Sequence, residues 1–134
     1  MKTNIKNLAT ILATTIWADG EYDEAEKISV EEIAEAFELD VNELVSAVDA
    51  EVEALAGMDE AQVNNALNAA EVAADEAELV LQAVLQIATV DGVLCEEEVD
   101  NILSIASVLG VSKARAVLML ADLVKDEPEL EIAF

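Results

Sequence analysis

The sequence contains no histidine, one cysteine, one proline and six lysine or arginine residues, and aromatic residues make up 3% of its 134 positions. Without histidine, Ser-His-Asp and Cys-His catalysis are excluded, and the most common transition-metal ligand is missing. The single Cys95 cannot form an internal disulfide, which fits a reducing compartment. With so few basic residues, nucleic acid is not an expected partner, because phosphate binding needs clustered lysine and arginine.

Acidic residues far outnumber basic residues in the sequence. Thirty Asp or Glu side chains against six basic ones give a formal net charge of -24 at pH 7, and no lysine or arginine lies between Lys27 and Lys113. Yet 54% of the residues are hydrophobic, too many for a disordered acidic tail. We therefore expect one folded domain whose unpaired charge costs stability unless salt, cations or a partner offset it.

Membrane and targeting signals are weak. The longest uncharged segments, 7–18, 79–90 and 101–112, are shorter than the roughly 18 residues that cross a bilayer. The N-terminal segment carries Lys2 and an apolar run, as a signal peptide would. Polar residues interrupt the run and patterned sequence follows directly, so an amphipathic first helix is favoured. We expect a cytoplasmic protein with no membrane insertion.

The sequence aligns with itself at an offset of 72 residues. Several identities coincide, including the Asp-Gly pairs at 19–20 and 91–92, and the apolar positions follow the same phase. Identities and apolar phase that agree at one offset indicate a duplication, with repeat units at 3–53 and 75–125.

Each repeat is predicted to contain three helices. The first begins after Thr3 or Asp75 and ends at an Asp-Gly pair, where glycine can adopt the left-handed conformation that stops a helix. The third begins at Asp40 in the first repeat, in a capping-box pattern. A connecting helix over 59–73 joins the repeats, and residues 126–134 are expected to form a short solvated acidic tail.

The second helix of each repeat carries apolar residues at helical spacing. In the first repeat, Ile28, Ile33 and Phe37 are expected in the core. Gly110 ends this helix in the second repeat, whereas Glu38 occupies the matching position in the first.

Strand signals are nearly absent, alanine is abundant, and Pro128 is the only proline. The predicted fold class is all-α. We expect a single compact domain over residues 1–134, with about seven helices built from the duplicated three-helix unit and the connecting helix.

The two Asp-Gly turns form the clearest candidate site. Each places a glutamate six residues after its glycine, so that Asp19 is followed by Glu26 and Asp91 by Glu98, with Asp23 as a further carboxylate in the first turn. Carboxylates that converge on a turn suit a hard divalent cation such as calcium or magnesium. The spacing matches the latter half of an EF-hand loop, but the first half lacks its ligands, which excludes a normal EF-hand.

The same acids have a structural interpretation that does not exclude the first. Asp23 and Glu26 have capping-box spacing, so Glu26 can satisfy a free amide at a helix start. Residues 96–98 lie in a first helical turn, where the helix dipole favours each negative charge by roughly 0.3–1 kcal/mol. Asp19 and Asp91 can bond backbone amides of their own turns.

The two turns read A-D-G-x-x-x-x-x-E and V-D-G-x-x-x-x-x-E, and each is followed by I-A-x-x-(F/L)-x-(L/V). These motifs resemble those of the TerB-like family, which includes the tellurite-resistance TerB domain and is related to the N-terminal domain of membrane-anchored J-domain co-chaperones. The resemblance runs from Thr3 to Lys125 and includes the duplication.

This resemblance implies an all-helical domain with no established enzymatic activity, associated with bacterial stress and tellurite resistance. It also implies metal binding through acidic residues, here Asp19 and Glu26 in the first turn and Asp91 and Glu98 in the second. Asp23 is a supporting ligand in the first turn only, since Cys95 takes its place in the second.

Three function classes remain open. The first is an accessory or scaffold protein that acts through protein contacts, with a divalent cation as the candidate cofactor. The second is an acidic adaptor or DNA-mimicking inhibitor that captures a basic partner by electrostatic steering. The third, an enzyme with paired carboxylates, is disfavoured because the acids sit at helix starts and nothing indicates a polar cleft. A protein partner is expected, and the oligomeric state is left open.

Overall fold

The computed structural model describes residues 2–20 and 22–133. This part of the chain is mostly helical, so the predicted all-α class is confirmed. The helices and strands are α1 (Ile5–Asp19), α2 (Glu24–Ala36), α3 (Val41–Leu55), α4 (Glu60–Ala69), a 3-10 turn (Ala74–Glu76), α5 (Ala77–Ala88), β1 (Val93–Cys95), α6 (Glu96–Leu109), α7 (Lys113–Asp126) and β2 (Glu131–Ala133).

Three pairs of helices begin 72 residues apart. The pairs are α1 and α5, which start at residues 5 and 77, α2 and α6, at 24 and 96, and α3 and α7, at 41 and 113. Helix α4 lies between these two sets and is shorter than the predicted 59–73, because the backbone becomes extended at Ala70.

The core is built around α1 and α5, which pack against each other and against most of the other helices. Both helices are apolar around most of their circumference, which lets them bury residues on several sides. Leu8 and Leu12 of α1 and Val80 and Val84 of α5 are fully buried. Burial of each such side chain stabilises the fold by roughly 1.5–3 kcal/mol.

The N-terminal segment is attached to the start of α5 by Thr3, the residue after which the first helix is predicted to begin. Asn4, not Thr3, is the N-cap of α1, and its side chain accepts a hydrogen bond from the Lys6 amide at 2.7 Å. The Thr3 hydroxyl instead donates to Glu76 Oε1 at 2.6 Å and accepts from the Ala73 amide at 3.1 Å. Thr3 therefore links segments that are far apart in the sequence.

The expectation that α2 buries Ile28 is wrong. Ile33 is buried and Phe37 is partly buried against the core, but the side chain of Ile28 is 45% exposed. Ile28 faces the space between α2, α5 and α7. At the repeat offset of 72, its counterpart is the exposed Asp100, so the apolar phase of the two repeats departs at this position.

The prediction of a solvated acidic tail is wrong for part of residues 126–134. Residues 131–133 form β2, which pairs in parallel with β1 directly after the second Asp-Gly turn. The Glu131 amide donates to the Gly92 carbonyl oxygen at 2.8 Å, and Leu130 is partly buried against the core. The C-terminal segment is thus held against the turn that carries Asp91.

Candidate functional site

The first Asp-Gly turn ends α1 through its glycine, as predicted. Gly20 has a φ of 80°, the left-handed region that other residues avoid, and its amide donates to the Ile16 carbonyl at 3.0 Å. The side chain of Asp19 and all of Glu21 lie outside the described residues, so the structure does not place this candidate carboxylate.

The other two acids of the first turn start α2. Asp23 is the N-cap residue, and its Oδ1 accepts a hydrogen bond from the Ala25 amide at 3.0 Å. Glu26 Oε2 accepts one from the Asp23 amide at 3.2 Å, which completes a capping box. Asp23 is exposed, whereas Glu26 is buried with a relative exposure of 1%.

Burial changes the ionisation of this pair. Loss of solvent raises the pKa of Glu26 to about 7, and the interaction with the Asp23 side chain acts in the same direction, whereas the hydrogen bond from the Asp23 amide opposes it. The same interaction between the two side chains lowers the pKa of Asp23. Because its pKa is raised, Glu26 brings less negative charge to the turn near neutral pH than an exposed glutamate would.

The second turn repeats this arrangement with a thiol in place of a carboxylate. Asp91 Oδ1 accepts from the Val93 amide at 3.1 Å, within its own turn, where Gly92 has a φ of 80°. Glu98 is buried, and its Oε1 accepts from the Cys95 amide at 3.3 Å and from Cys95 Sγ at 3.1 Å. Burial and the neighbouring Glu98 raise the pKa of the Cys95 thiol.

The described acids of the two turns all accept hydrogen bonds at helix starts or within turns, as expected if they serve to cap helices; they are Asp23, Glu26, Asp91 and Glu98. Across residues 2–20 and 22–133, no three His, Cys, Asp or Glu side chains are grouped so that they could hold a metal ion. As placed, these carboxylates do not form a ready cation site. Divalent-cation binding at the turns stays a prediction, since the Asp19 side chain is not described.

An aromatic residue joins the first turn to α3. The Tyr22 hydroxyl donates a hydrogen bond to the carboxylate of Asp49, and the Lys27 ammonium lies 5.2 Å from the centre of the Tyr22 ring. Burial raises the pKa of Tyr22 above its usual value. The ring is partly buried against the core, so packing over the loop is its structural role.

Sequence reasoning missed a groove of about 830 Å³ between α2, α5 and α7. Each of these helices contributes a stripe of residues at helical spacing, and the apolar members include Ile28, Leu85 and Met119. The stripes look like ordinary amphipathic faces in the sequence. The one sequence signal was the mismatch of Ile28 with Asp100 between the repeats, which indicates that the stripe on α2 does not pack entirely into the core.

Acidic side chains surround this groove. Glu32 lies on its α2 side, Asp122 and Asp126 on α7, and Glu129 on the C-terminal segment. Among the described residues that line it, the only basic one is Arg115, whose guanidinium is paired with Glu78 of α5 at 2.8 Å.

Few of the acids have ionic partners. Within the described part of the chain there are two ion pairs, Arg115 with Glu78 and Lys2 with Asp75, the latter at 2.7 Å. Both pairs are well exposed, so each contributes little to stability. The excess negative charge seen in the composition is therefore largely uncompensated on the folded surface.

Comparison with known proteins identifies a family. A family model described as tellurite resistance protein TerB matches residues 6–121. No curated protein and no solved structure matches this chain. None of the helices in the described ranges combines the length and the apolar character needed to cross a membrane.

Proposed function

Because this chain belongs to the TerB family, we propose that it is a non-enzymatic accessory or scaffold protein of tellurite resistance that acts through contacts with other proteins. The family match over residues 6–121 carries the proposal. The geometry of the turns supports the non-enzymatic part. Their described carboxylates accept backbone hydrogen bonds at helix starts instead of facing each other across a cleft, as an acid–base pair would.

Deletion of the gene in its own host tests this role. We expect growth of the deletion strain to be inhibited at lower tellurite concentrations than growth of the parent, and a copy of the wild-type gene to restore resistance. Complementation with a Leu12→Asp variant, which places a charge in the core, should fail because the domain does not fold. Identical growth of parent and deletion strains at all tellurite concentrations would contradict the proposal.

A second candidate function is that of an acidic adaptor or DNA-mimicking binder of a basic partner protein. It is favoured by the net charge of -24 and by the scarcity of ion pairs among the described residues. Such a surface attracts basic proteins over long distances and loses its effect as salt screens the charges. Affinity for the partner should therefore fall steeply with salt.

Capture from the host lysate at low and high salt, followed by titration of the purified partner, tests the adaptor role. We expect a basic protein that is retained at low salt only. Failure to recover any basic protein at low salt would count against the adaptor role. It would not bear on the proposed role in tellurite resistance.

Weak binding of divalent cations at the two Asp-Gly turns is a separate proposal. The repeated acidic spacing and the surrounding negative charge support it, although a cation has to compete with the capping hydrogen bonds. A dissociation constant of the order of 10⁻⁴–10⁻³ M is expected for such a site.

Calorimetric titration with calcium and magnesium tests the turns directly. The heat should disappear in the double variant Asp19→Asn/Asp91→Asn and persist in the control Glu53→Gln/Asp100→Asn, which removes the same charge elsewhere on the surface. Equal heats in both double variants would refute binding at the turns.

A further inference from the structure

We propose that the groove between α2, α5 and α7 binds a basic amphipathic helix of a partner protein. The inference rests on the proposed role in protein contacts and specifies the chemistry of the partner. It is carried by a partly apolar floor, an acidic rim and a departure from the internal repeat, all at the same place in the fold.

The floor of the groove is partly apolar, although Gln82 and Gln86 of α5 also line it and Gln86 donates a hydrogen bond to Glu32 at 2.9 Å. Leu85 of α5 and Met119 of α7 are largely buried beneath it, with relative exposures of 5% and 6%. Ile28 of α2 is 45% exposed and forms part of the wall, with Leu123 and Leu130 at the opposite side and end. Apolar side chains from a ligand would find contacts along the full width of the groove.

The repeat shows that the fold itself does not require an apolar residue at the wall. Asp100 occupies the position of Ile28 in the second repeat, on α6, and is exposed there. The equivalent helix of the second repeat thus forms with an exposed aspartate at this position. The exposed isoleucine in α2 is therefore available for contact with another molecule.

The rim determines the charge of the occupant. Glu32, Asp122, Asp126 and Glu129 carry negative charge around the groove, while Arg115 is held by Glu78. A ligand with lysine or arginine beside its apolar face complements this rim. A second copy of this chain, with its own net charge of -24, is repelled, as are nucleic acids and anionic lipid surfaces.

The walls favour a helix as the bound element. Helical stripes on α2 and α7 flank the groove and α5 lies beneath, which is the arrangement in which proteins take up an amphipathic helix. A helix of about 10–12 Å diameter presents anchors at i, i+3, i+4 and i+7, the spacing of the stripes that receive it.

A synthetic helix of about five turns, with leucine on one face and lysine on the others, serves as the probe. Its binding to the full-length protein is measured by fluorescence anisotropy, beside a scrambled peptide of the same composition and a leucine/glutamate helix. We expect the leucine/lysine helix to bind at least about tenfold more tightly than either control, and added salt to weaken it.

Two matched pairs of variants locate the site. Ile28→Asn should weaken binding by about tenfold, and Leu118→Asn, at a 58% exposed position on α7 outside the groove, by less than about twofold. Asp126→Lys/Glu129→Lys should weaken binding more than Glu53→Lys/Asp100→Lys, which makes the same charge change away from the rim. Circular dichroism of each variant confirms that it is folded.

Several results would overturn the groove as a helix site. Equal binding of the scrambled peptide would show simple charge attraction, and equal loss in Ile28→Asn and Leu118→Asn would place the contact elsewhere. A dimer in light scattering that Ile28→Asn dissociates would make a second copy the occupant. If the partner captured from lysate binds Ile28→Asn and wild type equally, the groove assignment fails while the adaptor role stands.

Discussion

Glu38 shows how one residue can retain a conformation that its side chain does not favour. It has a φ of 57°, and no other residue except glycine has a positive φ in the described ranges. Its counterpart in the second repeat is Gly110, with a φ of 81°. Both follow the second helix of their repeat, so the same chain reversal is made with glycine in one copy and with a strained glutamate in the other.

Replacing Glu38 with glycine should therefore stabilise the protein. We expect Glu38→Gly to raise the free energy of unfolding by about 1 kcal/mol, because glycine has no Cβ to clash in the left-handed region. Urea unfolding provides the measurement. Glu38→Gln is the control, since it removes the same charge and keeps the strain; if both variants gain equally, charge and not backbone conformation is responsible.

Glu26 gives the protein a specific dependence on pH. Its pKa is about 7 in the folded protein against an ordinary value of 4.5, so the folded state binds more protons than the unfolded state between these values. The free energy of unfolding should fall as pH rises from 5 to 8, by up to about 3 kcal/mol from this group. Asp23, whose pKa is lowered, acts only at lower pH.

The variant Glu26→Gln isolates this contribution. Its amide oxygen can still accept from the Asp23 amide, but the side chain cannot ionise, so at pH 8 the variant should be more stable than wild type by roughly 1–3 kcal/mol. Near pH 5 the two proteins should be similar. Urea unfolding across this pH range, with the exposed Glu24→Gln as control, measures the difference; parallel pH profiles for wild type and Glu26→Gln would rule out the effect.

Among the secondary structure elements, β2 is the one that joins the two acidic features of the molecule. It pairs with β1, which follows the second Asp-Gly turn, and it is preceded by Glu129 and Leu130 of the groove. The pairing is short, three residues in each strand, and the hydrogen bond from the Glu131 amide to the Gly92 carbonyl oxygen lies at its start. The position of the groove's end wall therefore depends on this contact.

Substitution of Glu131 by proline should release β2. Proline has no amide proton and cannot make the 2.8 Å hydrogen bond to the Gly92 carbonyl, so we expect a loss of about 1 kcal/mol and faster amide exchange in residues 93–95. Glu131→Gln keeps the amide and is the control for the lost charge. Unchanged exchange in β1 of the proline variant would show that this hydrogen bond does not hold the strand pair.

The whole molecule carries a charge of -24 with two ion pairs among its described residues, and this imbalance should make its stability depend on salt. Repulsion between carboxylates is greater in the compact folded state than in the unfolded chain and is screened over about 10 Å at 0.1 M salt. The same imbalance underlies both the adaptor role and the rim of the groove.

Added sodium chloride should therefore stabilise the protein. We expect an increase of about 1 kcal/mol or more in the free energy of unfolding between low and high salt. Urea is the suitable denaturant because guanidinium is itself a salt. Calcium chloride at equal ionic strength distinguishes general screening from binding at the turns. Binding at the turns would give more stability than sodium chloride does, and the double variant Asp19→Asn/Asp91→Asn would remove this extra stability. No gain with sodium chloride would show that self-repulsion is not a significant cost.

The sequence by itself determined the all-α class, the glycine that ends α1, and the capping box of Asp23 and Glu26. These depend on residues within a few positions of one another, so apolar periodicity and local hydrogen bonding are sufficient to predict them. Helix propensity and turn chemistry act over the same short range.

Only the tertiary structure decided the exposure of Ile28, the contact of Thr3 with Glu76, and the pairing of β2 with β1. Each of these depends on which distant segments meet, since residues 3 and 76 or 92 and 131 are brought together by the packing of whole helices. The groove arises in the same way, because three amphipathic stripes that look alike in sequence converge without filling the space between them.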